Sequence, residues 1–398
     1  MMFLLPLFSG IAFAQEVPVK YENAMVFPGG EMATAIFLGM YEATVEAGKK
    51  PDVVLATCGG SIGAAITASL TSTTEMKSLL ESEEFYGVLK TLSLTKTAEI
   101  ENIMKLVYSI KKAHRGHDRG FNQYYILNVP QSFGTDFIKK DFSSTSPIVM
   151  VASKIDGDQF KETYFTDEKT AHLLVGLTSS VSHLSNGVIE PLTEVRTDVG
   201  VLSALRASIS DPYFMQPASV GEDHYLGGIV DLYAIETAKA LANHVIMPYS
   251  VEPDHFIFSP AIKGVFGFNV YSRLKEVHDE DADFWVDISD MGSVVTKAGF
   301  GPEVQLFRLV GNFFEGLFTH PRHIDFDLMS LGVPSSYEDY VAQVDFLWAY
   351  GKDRMKEAYE HPNDLSHIRR MSKYNASKKL IAQVKQERSE TEEENATP

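Results

Sequence analysis

Apolar residues change their spacing along this chain, and each change marks an element. Residues 23–27 (NAMVF) form a short apolar run closed by Pro28-Gly29-Gly30, which predicts a buried strand and a turn. From 33 to 47 the positions Ile36, Leu38, Met40, Tyr41 and Val45 fall at helical spacing, with Gly48 as the stop. Val53-Val54-Leu55 is a second strand, and Cys58-Gly59-Gly60 turns it into a helix of small residues over 61–69. Strand, helix, strand, helix in so short a span predicts a parallel βαβ start. Strands 24–27 and 53–56 should then be adjacent and parallel, with helix 33–47 as the crossover.

Further along, 75–118 reads as amphipathic helix, and 125–129, 148–153, 162–166 and 244–247 as strands. Helices are expected over 201–209, 234–242 and 337–359. Residues 255–335 mix helix and loop patterns without a clear linker. The fold class this implies is α/β, three layers, with a mainly parallel central sheet between helices. Trp285, Trp348 and the cluster Phe313, Phe314 and Phe318 read as core.

Composition narrows the picture. The chain is 44% apolar and 22% charged, enough for a sizeable core. A net charge of −18 repels phosphate backbones and argues against nucleic acid as a partner. The single cysteine, Cys58, excludes an intramolecular disulfide and a cysteine-rich metal site. His320, His323, Asp325 and Asp327 match no metal-ligand spacing and read as a polar loop, so neither metal nor cofactor is expected.

The two ends of the chain differ from its middle. Residues 3–13 are almost wholly apolar, and Ala12-Phe13-Ala14 before Gln15 has the form of a cleavage site, although no Lys or Arg precedes the run. Residues 1–14 therefore read as an export signal, and the expected location is periplasmic or secreted. Over 366–388, Ile368, Met371, Ile381 and Val384 are set among seven Lys and Arg residues. Such a basic amphipathic helix can lie on an anionic membrane surface, or be a solvated terminal helix. The last ten residues are acidic and expected to be disordered. The organisation is thus 1–14, a domain over 23–362, and a tail over 363–398. Nothing in the sequence fixes an oligomeric state.

The chemistry is concentrated in two glycine turns that follow strands. Backbone N–H groups at Gly29-Gly30, ahead of a helix, can bind an anion or an oxyanion. In PDVVLATCGGSIGAA, a small-x-nucleophile-x-Gly turn between strand and helix has the form of a nucleophile elbow. Gly59-Gly60-Ser61-Ile62-Gly63 fits one register and Ala56-Thr57-Cys58-Gly59-Gly60 the other. The strand ends near Ala56, so the second register puts Cys58 at the bend and Ser61 in the first helical turn.

These turns, followed by ASISDPYFMQPASV and HYLGGIVDLYAIETAKALANHVIMP, resemble the patatin-like phospholipases over residues 23–362. The likeness is strongest in the first fifty of those residues and around 204–247. The family pattern implies a Gly-Gly-Gly-x-Arg oxyanion turn, a Gly-x-Ser-x-Gly elbow and an Asp-Gly-Gly/Ala turn that completes a Ser–Asp dyad. Gly29 and Gly30 match the first turn, but Glu31 stands at its third glycine and Ala33 at its arginine. At the elbow Ala56 replaces the first glycine, Cys58 the serine, and Gly60 matches. Ala207-Ser208 and Pro212 match the middle segment. Gly227 and Gly228 match the last turn, but Leu226 stands at the catalytic aspartate, and Asp231 at a position where the family often has asparagine.

Three readings follow. A serine or cysteine needs a base or a depressed pKa, which leucine cannot supply, and an inward carboxylate at Glu31 would oppose an oxyanion. That favours a pseudoenzyme keeping an acyl or lipid pocket. Alternatively, Cys58 acts as nucleophile with a substitute base: His224, which shares a strand face with Leu226, or more weakly Asp223 or Asp231. A third reading is a structural or partner-binding protein.

Overall fold

The computed structural model describes residues 19–29, 33–90, 93–94, 127–130, 133–138, 141–144, 146–156, 159–178, 193–210, 215–228, 230–249, 282–288, 290–291, 294, 298, 334 and 336–362. The export segment, Gly30, Glu31, Pro212, the Phe313–Phe318 cluster, the His320–Asp327 group and the basic run 366–388 lie outside these residues.

β1 (Tyr21–Phe27) and β2 (Val53–Thr57) are parallel neighbours, with Ala24 opposite Val53 and Phe27 opposite Ala56. α1 (Ala33–Glu46) is the crossover between them. β10 (Ala242–Tyr249) lies parallel on the far side of β1, and β11 (Phe284–Asp287) parallel beyond β10. On the other side come β5 (Ile148–Asp156), β6 (Gln159–Phe165) and β7 (Glu194–Arg196), giving the order β11-β10-β1-β2-β5-β6-β7. β5 is parallel to β2, β6 antiparallel to β5, and β7 parallel to β6. A hairpin of β8 (Ala218–Val220) and β9 (Asp223–Leu226) joins the sheet through β9 and β5. β3 (Ser93–Leu94) and β4 (Leu127–Asn128) pair separately.

Alternation along the strands divides the core into two layers. Met25, Phe27, Val54, Ala56, Ile148 and Met150 face α1, α2 (Gly60–Ser69) and α6 (Val201–Ile209). Ala24, Val26, Val53, Leu55, Val149 and Val151 face α5 (Glu168–Leu174) and α7 (Ile235–Leu241). The result is the expected three-layer α/β architecture with a mainly parallel central sheet. Trp285 and Trp348 are buried, as the sequence predicts.

The helix expected over 75–118 breaks into α3 (Thr73–Leu80) and α4 (Glu83–Lys90), with 95–118 outside the described residues. The break is a cap: Ser82 Oγ accepts from Phe85 N–H at 3.1 Å and starts a new helix. No described helix is long and apolar enough to cross a membrane.

α1 (ATAIFLGMYEATVE) is apolar on nearly every side, so it must be covered on both. The sheet and α2 cover one side. α8 (Tyr337–Glu360) covers the other, started by Ser336 Oγ accepting from Asp339 N–H. The two helices cross so closely that a Cβ added to Gly39 would lie 2.1 Å from Trp348 O, and one on Gly351 2.0 Å from Ile36 O. A polar latch flanks the crossing. Trp348 Nε1 donates to Glu42 at 2.8 Å, and Lys352 Nζ sits 3.0 Å from Glu42 and 2.6 Å from Glu46. Burial pushes the Glu42 carboxyl up, but the hydrogen bonds from Trp348 and Lys352 outweigh it and hold the group below its ordinary value.

Gly351→Ala should destabilise the protein by about 2–3 kcal/mol, because backbone rather than a movable side chain opposes the new methyl. Gly87→Ala, in α4 with nothing within 4 Å of the added Cβ, should be neutral or stabilise by about 0.5–1 kcal/mol. Thermal melts of the two variants check both. For Glu42 the folded-state pKa is depressed, so its contribution is present above the unfolded value near 4.5 and lost as pH falls through the folded one. Glu42→Gln should therefore flatten the acid limb of a Tm–pH profile below about pH 4.5.

Candidate active site

The bend between β2 and α2 falls at Cys58. Its φ is +48°, in the left-handed region that a side chain occupies only under constraint. The first hydrogen bonds beyond the bend are Ser61 N–H to Cys58 O at 2.9 Å and Ile62 N–H to Gly59 O at 3.2 Å. Gly59 and Gly60 thus keep N–H groups without a partner inside the helix. α2 leaves the bend directly over the end of β1: a Cβ on Gly60 would lie 2.1 Å from Phe27 O. Only glycine permits that crossing, which is the steric requirement of an elbow. Ser61, the alternative nucleophile position, is fully buried in the first turn of α2.

Ser208, near the end of α6, fixes the elbow. Its Oγ donates to Val151 O at 2.6 Å, accepts from Cys58 N–H at 3.0 Å and contacts Ser61 Oγ at 2.7 Å. A hydroxyl has one proton, already given to Val151, so Ser61 must be the donor in the third contact. The sequence registers Ala207-Ser208 only as a textual match; the structure gives the serine this mechanical role.

The second glycine turn reaches the elbow through β5. Thr57 of β2 pairs with Val151, and Leu226 of β9 pairs with Ser153, two positions further along the same strand. A Cβ on Gly228 would lie 2.9 Å from Thr57 Cβ, so this turn is in contact with the end of β2. Gly227 N–H donates to Ser210 O at 2.7 Å, and Ser153 Oγ accepts from Val230 N–H at 3.2 Å. The first glycine turn arrives from the other side. A Cβ on Gly29 would lie 3.4 Å from Cys58 Cβ, and Gly29 N–H and Thr57 Oγ1 both donate to Leu232 O, at 3.4 and 2.7 Å. Gly29, Ala56, Cys58, Gly60, Leu226, Gly227 and Gly228 are therefore gathered at one end of the sheet.

The candidate bases are not gathered there. Leu226 is fully buried. His224 shares its face of β9, but pairs with Ile155, four β5 positions beyond Val151, or about 13 Å along the strand. Its ring is exposed and meets Ser219 Oγ through Nδ1 at 3.1 Å. Asp223 is bound by Lys154 at 2.9 Å and Arg196 at 3.2 Å, and the Lys154 hydrogen bond holds its carboxyl below the ordinary range. Asp231 is buried with Oδ1 accepting from Tyr233 and Ala234 N–H, at 3.2 and 2.8 Å, which caps the entry to α7. Among the described residues no group of His, Cys, Asp and Glu could hold a metal ion.

Beside this end of the sheet lies a polar cluster that sequence reasoning missed. Glu162 is fully buried on β6, abreast of Ser153 and Leu226, and accepts from Tyr164 Oη at 2.7 Å; that hydroxyl also meets Thr237 at 2.8 Å. Burial, then the nearby carboxylates of Glu162 and Asp231, push the Tyr164 hydroxyl well above its ordinary pKa. The period-two pattern of the strand was its only sequence signal.

If Cys58 carries backbone strain, Cys58→Gly should keep or raise Tm, by up to about 1 kcal/mol of stability. Ser208→Ala removes a hub from three buried groups and should cost about 2–3 kcal/mol in the same melts.

Comparison with known proteins bears on residues 25–238, more than half of the chain, which match the family described as patatin-like phospholipase. No curated protein matches. Among solved structures the chain is similar to VipD from Legionella pneumophila, at 9% identity over 86% of each chain, with a TM-score of 0.29. The matched residues contain both glycine turns, the elbow and Ser208, and the chain belongs to the patatin-like phospholipase family.

Proposed function

We propose that this chain is a patatin-fold protein with impaired catalysis that keeps an acyl or lipid pocket at the elbow. The observation that carries this reading is Leu226. The turn that supplies the carboxylate of a Ser–Asp dyad is built and packed against Thr57, but its leading residue is a buried leucine. Position 226 contributes no proton acceptor, and the nearby acids and histidine are engaged as described above. Loss of a base from an acting dyad costs on the order of 10⁴ in rate. The same reading takes residues 1–14 as an export signal and 366–388 as a contact with membrane surfaces.

One observation favours a second reading, a hydrolase running on Cys58. The left-handed φ at Cys58 is kept at a non-glycine residue, the geometry that lifts a nucleophile above a sheet. The readings separate in an assay of the purified full chain on short- and long-chain acyl esters and on phospholipid, beside Cys58→Ala and His224→Ala, with lipid extracted from the protein and identified by mass spectrometry. The expected outcome is turnover indistinguishable from Cys58→Ala, with lipid co-purifying. Hydrolysis abolished by Cys58→Ala would overturn the proposal, and its loss in His224→Ala would name the base. Neither turnover nor bound lipid would leave a structural or partner-binding role.

A further inference from the structure

On the opposite side of α6 from the elbow, the helix borders a cavity of about 230 Å³ beside the β8–β9 hairpin and Val129. Ser203 and Arg206 lie one turn apart and face it, together with Ser210, Gln216 and Ser219. Ser208, two residues after Arg206, points instead to Cys58, so the cavity and the elbow use different faces of one helix.

Arg206 is the unusual member. Its Nη2 donates to Pro130 O at 2.5 Å, while its Nε is buried and has no hydrogen-bond partner. Among the described residues no carboxylate pairs with it. Arg196 and Arg354 are each bound by two acids, Asp198 with Asp223 and Asp290 with Glu357. Burial lowers the Arg206 pKa. A partly desolvated cation is costly unless an anion meets it. Ser210 Oγ is committed to Arg206 O. Ser203 and Gln216, exposed at the mouth, offer further donors beside the guanidinium.

We propose that this cavity binds an oxyanion of the phosphate or carboxylate class, with Arg206 as its principal ligand. The charge selects an anion over a neutral carbonyl, and the planar fork suits two oxygens at once. The volume suits a small anion or a headgroup, and is below the range typical of sites that enclose a drug-sized molecule. The site is independent of the chemistry at Cys58.

The test uses the full chain, titrated with inorganic phosphate and with acetate against chloride at constant ionic strength, and followed by calorimetry and thermal melts. Phosphate should raise Tm by about 2 °C near saturation, and Arg206→Met should abolish the shift. Gln216→Ala, at an exposed position, should weaken phosphate binding about 2–10-fold. A second arm distinguishes the source. Capture by phosphatidylcholine vesicles doped with phosphatidic acid, competed by free phosphate, identifies a lipid headgroup; phosphate binding without vesicle capture identifies a free anion. No effect of phosphate or acetate on the parent protein, or an equal one in Arg206→Met, overturns the site. Should Arg206→Met fail to fold, unchanged phosphate affinity in Gln216→Ala overturns it.

Discussion

The nine residues of β5 share one edge between two strands, and the arrangement of the site depends on that division. Its first half pairs with β2, in parallel, and its second half with β9, running the opposite way. Two strands meeting end to end on a common partner bring their terminal turns together without a loop having to reach across. The elbow is one of those turns and Gly227-Gly228 the other. β5 can serve both because its opposite edge is held by β6 through seven consecutive register pairs.

Around this meeting point, contacts are made through backbone and short side chains. Gly60 lets α2 pass over β1, Gly228 lets the second turn touch Thr57, and Ser208 joins helix α6, strand β5 and the elbow through a single oxygen. Such a frame is set by sterics and hydrogen bonds that do not involve the side chain at 226. The frame and the proton chemistry are therefore separable, which explains how a leucine can occupy that position while the turn around it stays packed.

Much of this was legible in the sequence where apolar runs are long. The βαβ start and the bend at Cys58 follow from residues 23–69 because the apolar run of each strand is buried on both faces and is closed by a glycine-containing turn. The short strands were not. β7 (EVR), β8 (ASV) and β9 (DHYL) hold three or four residues, too few for a period to show, and their polar side chains are half-buried or exposed. α3 and α4 read as one helix because the apolar stripe continues across Ser82 while the backbone does not. Alternation alone puts His224 on the face of Leu226, but its distance from the elbow is set by register with β5, which no local pattern encodes. Arg206 carried no signal either, since a basic residue on a helix is ordinary until its partners are known.

The crossing of α1 and α8 bears on the order of events during synthesis. Trp348 and Glu42, which hydrogen-bond across it, are 306 positions apart. The strands β1, β2 and β5 end by Asp156 and can pair while the ribosome is still at work, with Ser208 and the second glycine turn following well before Tyr337. Through that interval α1 has one apolar side on the young sheet and the other in water, because its cover has not yet been made. Closure at so large a separation is entropically slow, and exposed apolar surface of this kind invites chaperones and aggregation. Folding of this core is thus completed by its last described helix, and a chain cut short before Tyr337 would carry the elbow on a core left open along one helix.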